Sequence, residues 1–308
     1  MTERPDPPLR CRGVTATEPV PRSVDLPAGA FRVLTWPALD ADDTPTDDGW
    51  AGTAVLLHGL SGVAEVWHET VAALGAGRPR CIALDQRGHG RSPHTPGRYA
   101  ADDYLGDLLA LLDRLDLIGG PLHLVGHSMG ARVAMAAGAR HPERFATVTI
   151  VDIGPDAWEE NIAETVRLLG ARPERFADRT EALAVAGLIV DRLGTGTADA
   201  YVDDRLAEQP DGSYRWLSPA EALVESVTVQ RRRDHWADWE ALRPPVRLVL
   251  GGATTEVRPE VAEEMRRRNP RVRVHVLDGI GHNVPMLAPG ALAAELRACW
   301  QAVTPGPG

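Results

Sequence analysis

The sequence predicts an α/β protein with a mostly parallel central sheet, helices on both faces of that sheet and an inserted helical cap. Short apolar runs alternate with longer segments of helical spacing from about residue 53 onward. The alternation stops at Pro155 and resumes near residue 246. Strands that alternate with helices of this length form parallel sheets that are covered on both faces. The interruption therefore indicates one core that carries an insertion.

The predicted elements follow in a regular order. Four strands precede the interruption, in "TAVLLHG", "RCIALD", "PLHLVGHS" and "FATVTIVDIG". The segments "EVWHETVAALGAG", "ADDYLGDLLALLDRLDL" and "MGARVAMAAGARHP" between them have helical spacing. Two further strands, "VRLVLGG" and "VRVHVLDG", follow the interruption, each with a helix after it. Upstream, "SVDLP" and "AFRVLTW" predict a hairpin around Ala28 and Gly29.

These elements divide the chain into three parts. Residues 1–22 are rich in proline, arginine and threonine, which predicts a flexible N-terminal arm. Residues 23–154 and 241–303 form the predicted α/β core. Residues 155–240 form the predicted helical cap, in which "DGSYRWL" is the one segment with the character of a turn or hairpin.

Composition excludes several classes of function. The net charge of −10 over 308 residues argues against a general affinity for nucleic acid or anionic membranes. The N-terminus has no apolar signal region, and no apolar run reaches the roughly 18 residues of a membrane helix. The three cysteines have neither disulfide nor zinc spacing. We therefore expect a cytoplasmic protein with a small-molecule substrate and no metal or cofactor, while the oligomeric state is not determined.

The segment "GHSMG" carries the first candidate catalytic residue. It matches G-x-S-x-G between a predicted strand and a predicted helix, which is the context that a nucleophile elbow requires. The nearby glycines are expected to permit a sharp turn that lifts the Ser128 hydroxyl above the sheet. The turn leaves the Met129 N–H at the first turn of the helix, where it can stabilise an oxyanion.

A second oxyanion donor and a base are needed beside this serine. The loop "LLHGLSG" follows the first core strand and offers the Leu60 N–H, with Ser61 next to it as a substrate-binding candidate. In the same loop, His58 precedes Gly59 and is interpreted as holding the backbone. The candidate base is His282, which lies in "LDGIGHNVP" after the last predicted strand.

The order of these segments resembles the α/β-hydrolase fold family. The segments "HGLSG", "DQRGHGRS", "GHSMG", "VDIGP" and "GIGHNVP" are similar to that family's recurrent motifs and occur in its order. The resemblance covers about residues 30–302 and is weakest in the insertion, which corresponds to the family's cap. It implies a triad in the order serine, acid, histidine. It also implies that Asp85, Arg87 and His89 belong to a structural turn.

Two residues compete for the role of the triad acid. The family most often carries its acid after the strand that follows the cap, where Glu256 is the only acid at about the right place. Some relatives instead use an aspartate at the end of the strand before the cap, which here is Asp152 in "VDIGP". Asp152 would be held more rigidly, at a strand end near the sheet centre. Glu256 is longer and could span a gap.

Aromatic residues are the candidates for the substrate pocket. Trp67 follows the oxyanion loop, and Trp158, Trp216 and Trp236 lie in the predicted cap. An aromatic lining would suit an apolar substrate group. The other interpretation is that these rings pack the cap onto itself and onto the core. The run of three arginines from Arg231 to Arg233 either meets an anionic substrate or forms a solvated helix face.

A serine nucleophile in this setting indicates acyl transfer. We predict hydrolysis of a carboxylic ester of a small or medium apolar substrate through an acyl-enzyme on Ser128. The same residues would also serve a lactonase, a thioesterase, a C–C bond hydrolase or a perhydrolase, because the fold does not choose among them. A different class of function, a non-catalytic small-molecule receptor with a hydrolase fold, also remains open.

Overall fold

A computed structural model describes residues 18–40, 44–46, 52–117, 120–156 and 159–303 of the chain. The strands are β1 (Val20–Leu26), β2 (Gly29–Trp36), β3 (Ala38–Leu39), β4 (Pro45–Thr46), β5 (Thr53–Leu57), β6 (Arg80–Leu84), β7 (Leu122–His127), β8 (Thr147–Val151), β9 (Arg175–Phe176), β10 (Leu206–Glu208), β11 (Tyr214–Trp216), β12 (Val246–Gly251) and β13 (Arg273–Leu277). The α-helices are α1 (His68–Leu74), α2 (Ala101–Arg114), α3 (Met129–Arg140), α4 (Glu159–Gly170), α5 (Arg179–Leu193), α6 (Ala198–Arg205), α7 (Ala220–Arg231), α8 (Trp236–Ala241), α9 (Pro259–Arg268), α10 (Val284–Leu287) and α11 (Pro289–Gln301).

Eight strands form the central sheet, in the order β1-β2-β6-β5-β7-β8-β12-β13. The hairpin β1–β2 is antiparallel, and β2 also pairs antiparallel with β6. The remaining pairs are parallel. Because the carboxyl ends of parallel strands meet at one edge of a sheet, the loops after β5, β7, β8, β12 and β13 lie together there. This is the predicted fold class, and it brings the candidate segments to one place.

Helices cover both faces of the sheet. One core cluster includes Leu108 of α2, Val133 of α3 and Met265 of α9, and the other includes Val71 of α1 and Leu296 of α11. Every residue of β7 and β8 is buried, as expected for central strands that are covered on both sides.

Residues 155–235 form the insertion between β8 and β12. It contains α4 to α7 and a small antiparallel sheet with the order β10-β11-β9, so it is less purely helical than the sequence predicted. The His235 N–H donates to the Pro155 carbonyl oxygen at 2.6 Å, which joins the two ends of the insertion. Helix α8 packs on α3 in the core, with Trp239 fully buried. The predicted boundary at residue 240 therefore falls inside a core helix.

The N-terminal boundary also differs from the prediction. Residues 20–22, assigned to the flexible arm, pair with β2 as the start of β1, because Val20 lies opposite Thr35 and extends the hairpin. Residues 1–17 of that arm, including Cys11, lie outside the described residues. Cys81 and Cys299 are buried free thiols. Among the helices of the described ranges, none has the length and apolar character needed to cross a membrane.

Candidate active site

Ser128 lies at the sharp turn between β7 and α3. Its φ of +51° is in the left-handed region, which is costly for a residue with a side chain. The flanking glycines do not have positive φ. A Cβ on Gly126 would lie 2.3 Å from the Gly130 carbonyl oxygen, and one on Gly130 would lie 2.5 Å from the Leu57 carbonyl oxygen. The glycines therefore permit close packing of strand and helix, while Ser128 itself adopts the left-handed angle of the turn.

His282 joins Ser128 to Asp152. The loop after β13 places its Nε2 3.0 Å from the Ser128 Oγ and its Nδ1 2.7 Å from the Asp152 Oδ2. The neighbouring His127 is buried, and its Nε2 donates to the His282 carbonyl oxygen at 2.9 Å. Burial, with a smaller contribution from His282, lowers the pKa of His127 to about 3. His127 is therefore neutral at pH 7 and holds the His282 loop without adding charge.

Asp152 immediately follows β8 and is completely buried, with a φ of +51°. Its Oδ1 accepts a hydrogen bond from the Gly251 N–H at 2.7 Å. Its Oδ2 accepts from the Thr254 hydroxyl at 2.5 Å as well as lying against His282. Buried carboxylates are tolerated when donors satisfy their oxygens. The two loops at this sheet edge supply those donors and fix the carboxylate toward the imidazole.

Glu256, the other candidate acid, lies elsewhere. Its Oε2 is 3.0 Å from Arg231 Nη2, and both side chains are largely buried. The two ring nitrogens of His282 are bonded to Ser128 and Asp152, so the imidazole presents no nitrogen to Glu256. The turn after β12 directs Thr254 toward Asp152 and Glu256 toward the insertion. Of the two predicted acids, Asp152 contacts the imidazole and Glu256 pairs with Arg231 instead.

The loop after β5 lies beside the Ser128 turn. Within the described residues, the backbone N–H groups of Leu60 and Met129 have no hydrogen-bond acceptor, whereas the Gly130 N–H donates to the His58 carbonyl oxygen. His58 Nδ1 donates to the Gly59 carbonyl oxygen at 2.7 Å, and its Nε2 accepts from the Gln86 N–H at 3.0 Å. Burial holds the pKa of His58 well below its ordinary value. This neutral side chain ties the loop in place and leaves the two free amides near the serine.

Two cavities meet at Leu60. The inner chamber has about 280 Å³ of empty volume and lies between Ser128 and helix α7 of the insertion. The outer cavity has about 670 Å³ and is lined by Ser61, His127 and residues of α5 and α6. Beyond Tyr201 and Arg205, the outer cavity continues into a third, more apolar space of about 1030 Å³. A substrate at Ser128 would therefore have two directions in which to extend.

The predicted aromatic pocket residues that the structure describes do not line the two cavities beside Ser128. Trp67 is fully buried in a core cluster, because the helical turn that carries it packs against the sheet. Trp216 packs on Phe176 and donates to the Pro173 carbonyl oxygen within the insertion. Trp236 packs against the core under the Arg268 guanidinium. Trp158 lies outside the described residues. Of the predicted substrate-binding residues in the described ranges, Ser61 alone lines one of these cavities.

Three site residues were not identified from the sequence. Thr254 bonds Asp152 and lies in the turn where the sequence offered only Glu256 as a candidate. Arg132 and Gln230 are buried and line the inner chamber with Ser128. Arg132 follows Ser128 by four residues, which is one turn of α3, so helical spacing could have identified it. Gln230 carried no signal, because its approach to Ser128 depends on how α7 packs over the sheet.

Comparison with known proteins agrees with this fold. The family model described as the alpha/beta hydrolase family matches residues 54–295. A 2-(acetamidomethylene)succinate hydrolase of Mesorhizobium japonicum is 29% identical over 237 residues, which are 76% of this chain and 83% of that protein. An esterase of Mycobacterium tuberculosis is 26% identical over 91% of this chain and 89% of its own length.

A solved structure adds agreement in three dimensions. The crystal structure of E-2-(acetamidomethylene)succinate hydrolase superposes with a TM-score of 0.79 at 24% identity, over 92% of this chain and 100% of that one. At this identity the superposition establishes the fold alone. The family model supplies the classification, since it spans most of the chain. The chain therefore belongs to the alpha/beta hydrolase family.

Proposed function

We propose that this protein is a serine hydrolase that cleaves a carboxylic ester through an acyl-enzyme on Ser128. The observation that supports it best is the continuous set of hydrogen bonds from Ser128 through His282 to the buried Asp152. A base within bonding distance of a hydroxyl, itself oriented by a carboxylate, is the arrangement that activates a serine. The free amides of Leu60 and Met129 beside it match the donors that an oxyanion needs.

The chemical steps follow from these positions. His282 Nε2 takes the Ser128 proton while Oγ attacks the ester carbonyl carbon. Asp152 accepts from Nδ1 and stabilises the imidazolium that forms, while the amides of Leu60 and Met129 bind the oxyanion. Collapse of the tetrahedral intermediate expels the alcohol, which takes the proton from His282. A water molecule activated by the same imidazole then attacks the acyl-enzyme and releases the acid.

The surrounding cavities support a substrate of small or medium size. The outer cavity and its extension have mixed apolar and polar linings beneath α5 and α6, which suits an apolar alkyl or acyl group. We propose that residues 155–235 act as a cap that covers this group and limits its length. The similarity to an esterase also supports an ester as the bond cleaved.

A labelling experiment tests this function. A fluorophosphonate should form a covalent adduct on Ser128, located by mass spectrometry of the digested protein. A panel of p-nitrophenyl esters of increasing acyl length, assayed beside lactones and acyl-thioesters, then identifies the bond and sizes the pocket. Absence of an adduct on Ser128 in folded protein would reject the nucleophile. Tight binding of a panel compound with negligible turnover would instead favour a receptor.

A further inference from the structure

We propose that the inner chamber binds a carboxylate group on the acyl side of the substrate, with Arg132 as its main ligand and Gln230 as a second donor. This inference rests on the proposed function, because it assigns the substrate class of the same site. It makes the enzyme a hydrolase of short monoesters of dicarboxylic acids. The neutral leaving alcohol would then extend into the outer cavity.

The first observation is the incomplete bonding of Arg132. Its side chain is 4% exposed, and its Nη2 donates to the Asp156 carbonyl oxygen at 2.8 Å. Within the described part of the chain, Nη1 has no hydrogen-bond acceptor. A buried guanidinium normally has its donors satisfied, since an unmade bond to a charged group is expensive. Because Arg132 lines the chamber with Ser128, a ligand in that chamber can supply the missing acceptor.

A second buried polar group lines the same chamber from the insertion. Gln230 on α7 is 2% exposed, and neither its Nε2 nor its Oε1 has a partner among the described residues. Unbonded amides are rarely buried without a function or a bound molecule. Its Nε2 can donate to the carboxylate that Arg132 binds, which leaves Oε1 for a hydroxyl or a water. Two unsatisfied side chains on independent elements therefore converge beside the nucleophile.

The charges around the chamber favour an anion. Arg231 pairs with Glu256 at 3.0 Å, and Arg258 pairs with Asp156 at 2.9 Å. Arg132 forms no salt bridge with a described carboxylate, so its own charge has no direct counterion among the described residues. Burial, and next the charge of Arg231, lower the pKa of Arg132 to about 10, which leaves it protonated at neutral pH. A buried cation without a counterion is costly, and a substrate carboxylate would provide one.

The dimensions indicate a short acid. Arg132 lies one turn of α3 beyond Ser128, and a helical turn rises about 5.4 Å. Both side chains line the same chamber, which favours a short spacer between the carbonyl carbon and the carboxylate. The chamber is also much smaller than the outer cavity and its extension, which leaves little room for a longer chain. Succinyl and glutaryl esters are therefore the expected class.

The test compares p-nitrophenyl hydrogen glutarate with p-nitrophenyl pentanoate, which have similar length and differ in the terminal charge. The wild-type kcat/KM should favour the glutarate ester. Arg132→Gln should lower that preference about 10- to 100-fold, because a charge-assisted bond is lost. Arg132→Lys should recover part of it. The matched control is Arg267→Gln, which removes an exposed charge that pairs with Glu264 away from the chamber and should leave the preference unchanged.

Binding without turnover provides a second readout. Calorimetry should show monomethyl glutarate binding to Ser128→Ala protein, and Gln230→Met should weaken that binding even if Arg132→Gln fails to fold. A wild-type enzyme that prefers the pentanoate ester, or a glutarate preference that survives both chamber variants, would overturn the inference. Those results would leave fluorophosphonate labelling of Ser128 intact. Loss of labelling would instead reject the proposed function itself.

Discussion

The two sides of the active site differ in how completely their polar groups are bonded. On the side of the sheet edge, the Asp152 oxygens accept bonds from Gly251 and Thr254, and His282 is bonded at both ring nitrogens. On the side that faces the insertion, Arg132 of the core helix α3 and Gln230 of α7 keep polar atoms without partners among the described residues. This difference supports our proposals that the strand ends hold the reacting groups rigidly and that the less completely bonded side recognises the substrate.

Removal of the nucleophile should have the largest effect. Ser128→Ala should lower kcat by roughly 10⁶, because the serine and histidine act as a unit. Substrate binding should persist, since the rest of the chamber lining is unchanged. Steady-state kinetics measure the first effect and calorimetry with the uncleaved ester the second. A variant that retained esterase activity would show that Ser128 is not the nucleophile and that the sheet-edge side does not hold the reacting groups.

The next experiment replaces each of the two candidate acids by its amide. Asp152→Asn should lower kcat by about 10⁴, because the amide no longer holds the correct tautomer of His282. Glu256→Gln is the matched control, since it neutralises a carboxylate that pairs with Arg231 instead of His282. Its kcat on a neutral ester should change less than about tenfold, since the hydrogen bonds of His282 are kept. If the control variant suffered the greater loss in kcat, the assignment of Asp152 would be wrong.

Two glycine-to-alanine variants compare the packing at the elbow with the packing of the insertion. Gly130→Ala places a Cβ 2.5 Å from the Leu57 carbonyl oxygen, so overpacking should lower the free energy of unfolding by about 3 kcal/mol. A Cβ added to Gly187, on α5 of the insertion, would meet no neighbouring group within 4 Å, and Gly187→Ala should stabilise the helix by up to about 1 kcal/mol. Urea unfolding of both variants measures the contrast. Equal losses would mean that the two regions are packed alike.

Acid should destabilise the sheet-edge side through its buried histidines. Burial lowers the pKa of His127 to about 3 and that of His89 to about 4, against about 6.5 in the unfolded chain. The unfolded state therefore binds more protons, so the stability present above pH 6.5 is lost as pH falls toward the folded values. Each histidine should contribute a slope of about 1 kcal/mol per pH unit.

A variant isolates one of these contributions. His127→Gln retains an amide donor for the His282 carbonyl oxygen but cannot titrate, so its stability should fall less steeply below pH 6.5. Denaturant unfolding between pH 7 and pH 5 measures both slopes. Identical slopes for the variant and the wild type would exclude His127 as a source of the acid sensitivity.

The sequence predicted the sheet-edge side much better than the insertion side. Ser128 and His282 lie in strand–loop segments whose local pattern indicates both the strand and its end, and parallel pairing then brings those ends together. Asp152 was one of two candidates, since the sequence could not say which loop points toward the imidazole. The aromatic residues were candidates either for the pocket or for packing, and both Trp67 of the core and Trp216 of the insertion pack within the protein.

Sequence alone determined the strand–helix alternation, the elbow around Ser128 and the position of His282 after the last strand, because these depend on local periodicity and on spacing along the chain. Tertiary packing fixed the remaining side-chain orientations. It turned Asp152 and Thr254 toward the imidazole and Glu256 toward Arg231, and it packed α7 over the elbow so that Gln230 reaches the chamber. Contacts between residues 25 to 130 positions apart depend on how packed elements orient their side chains, and no local pattern records that orientation.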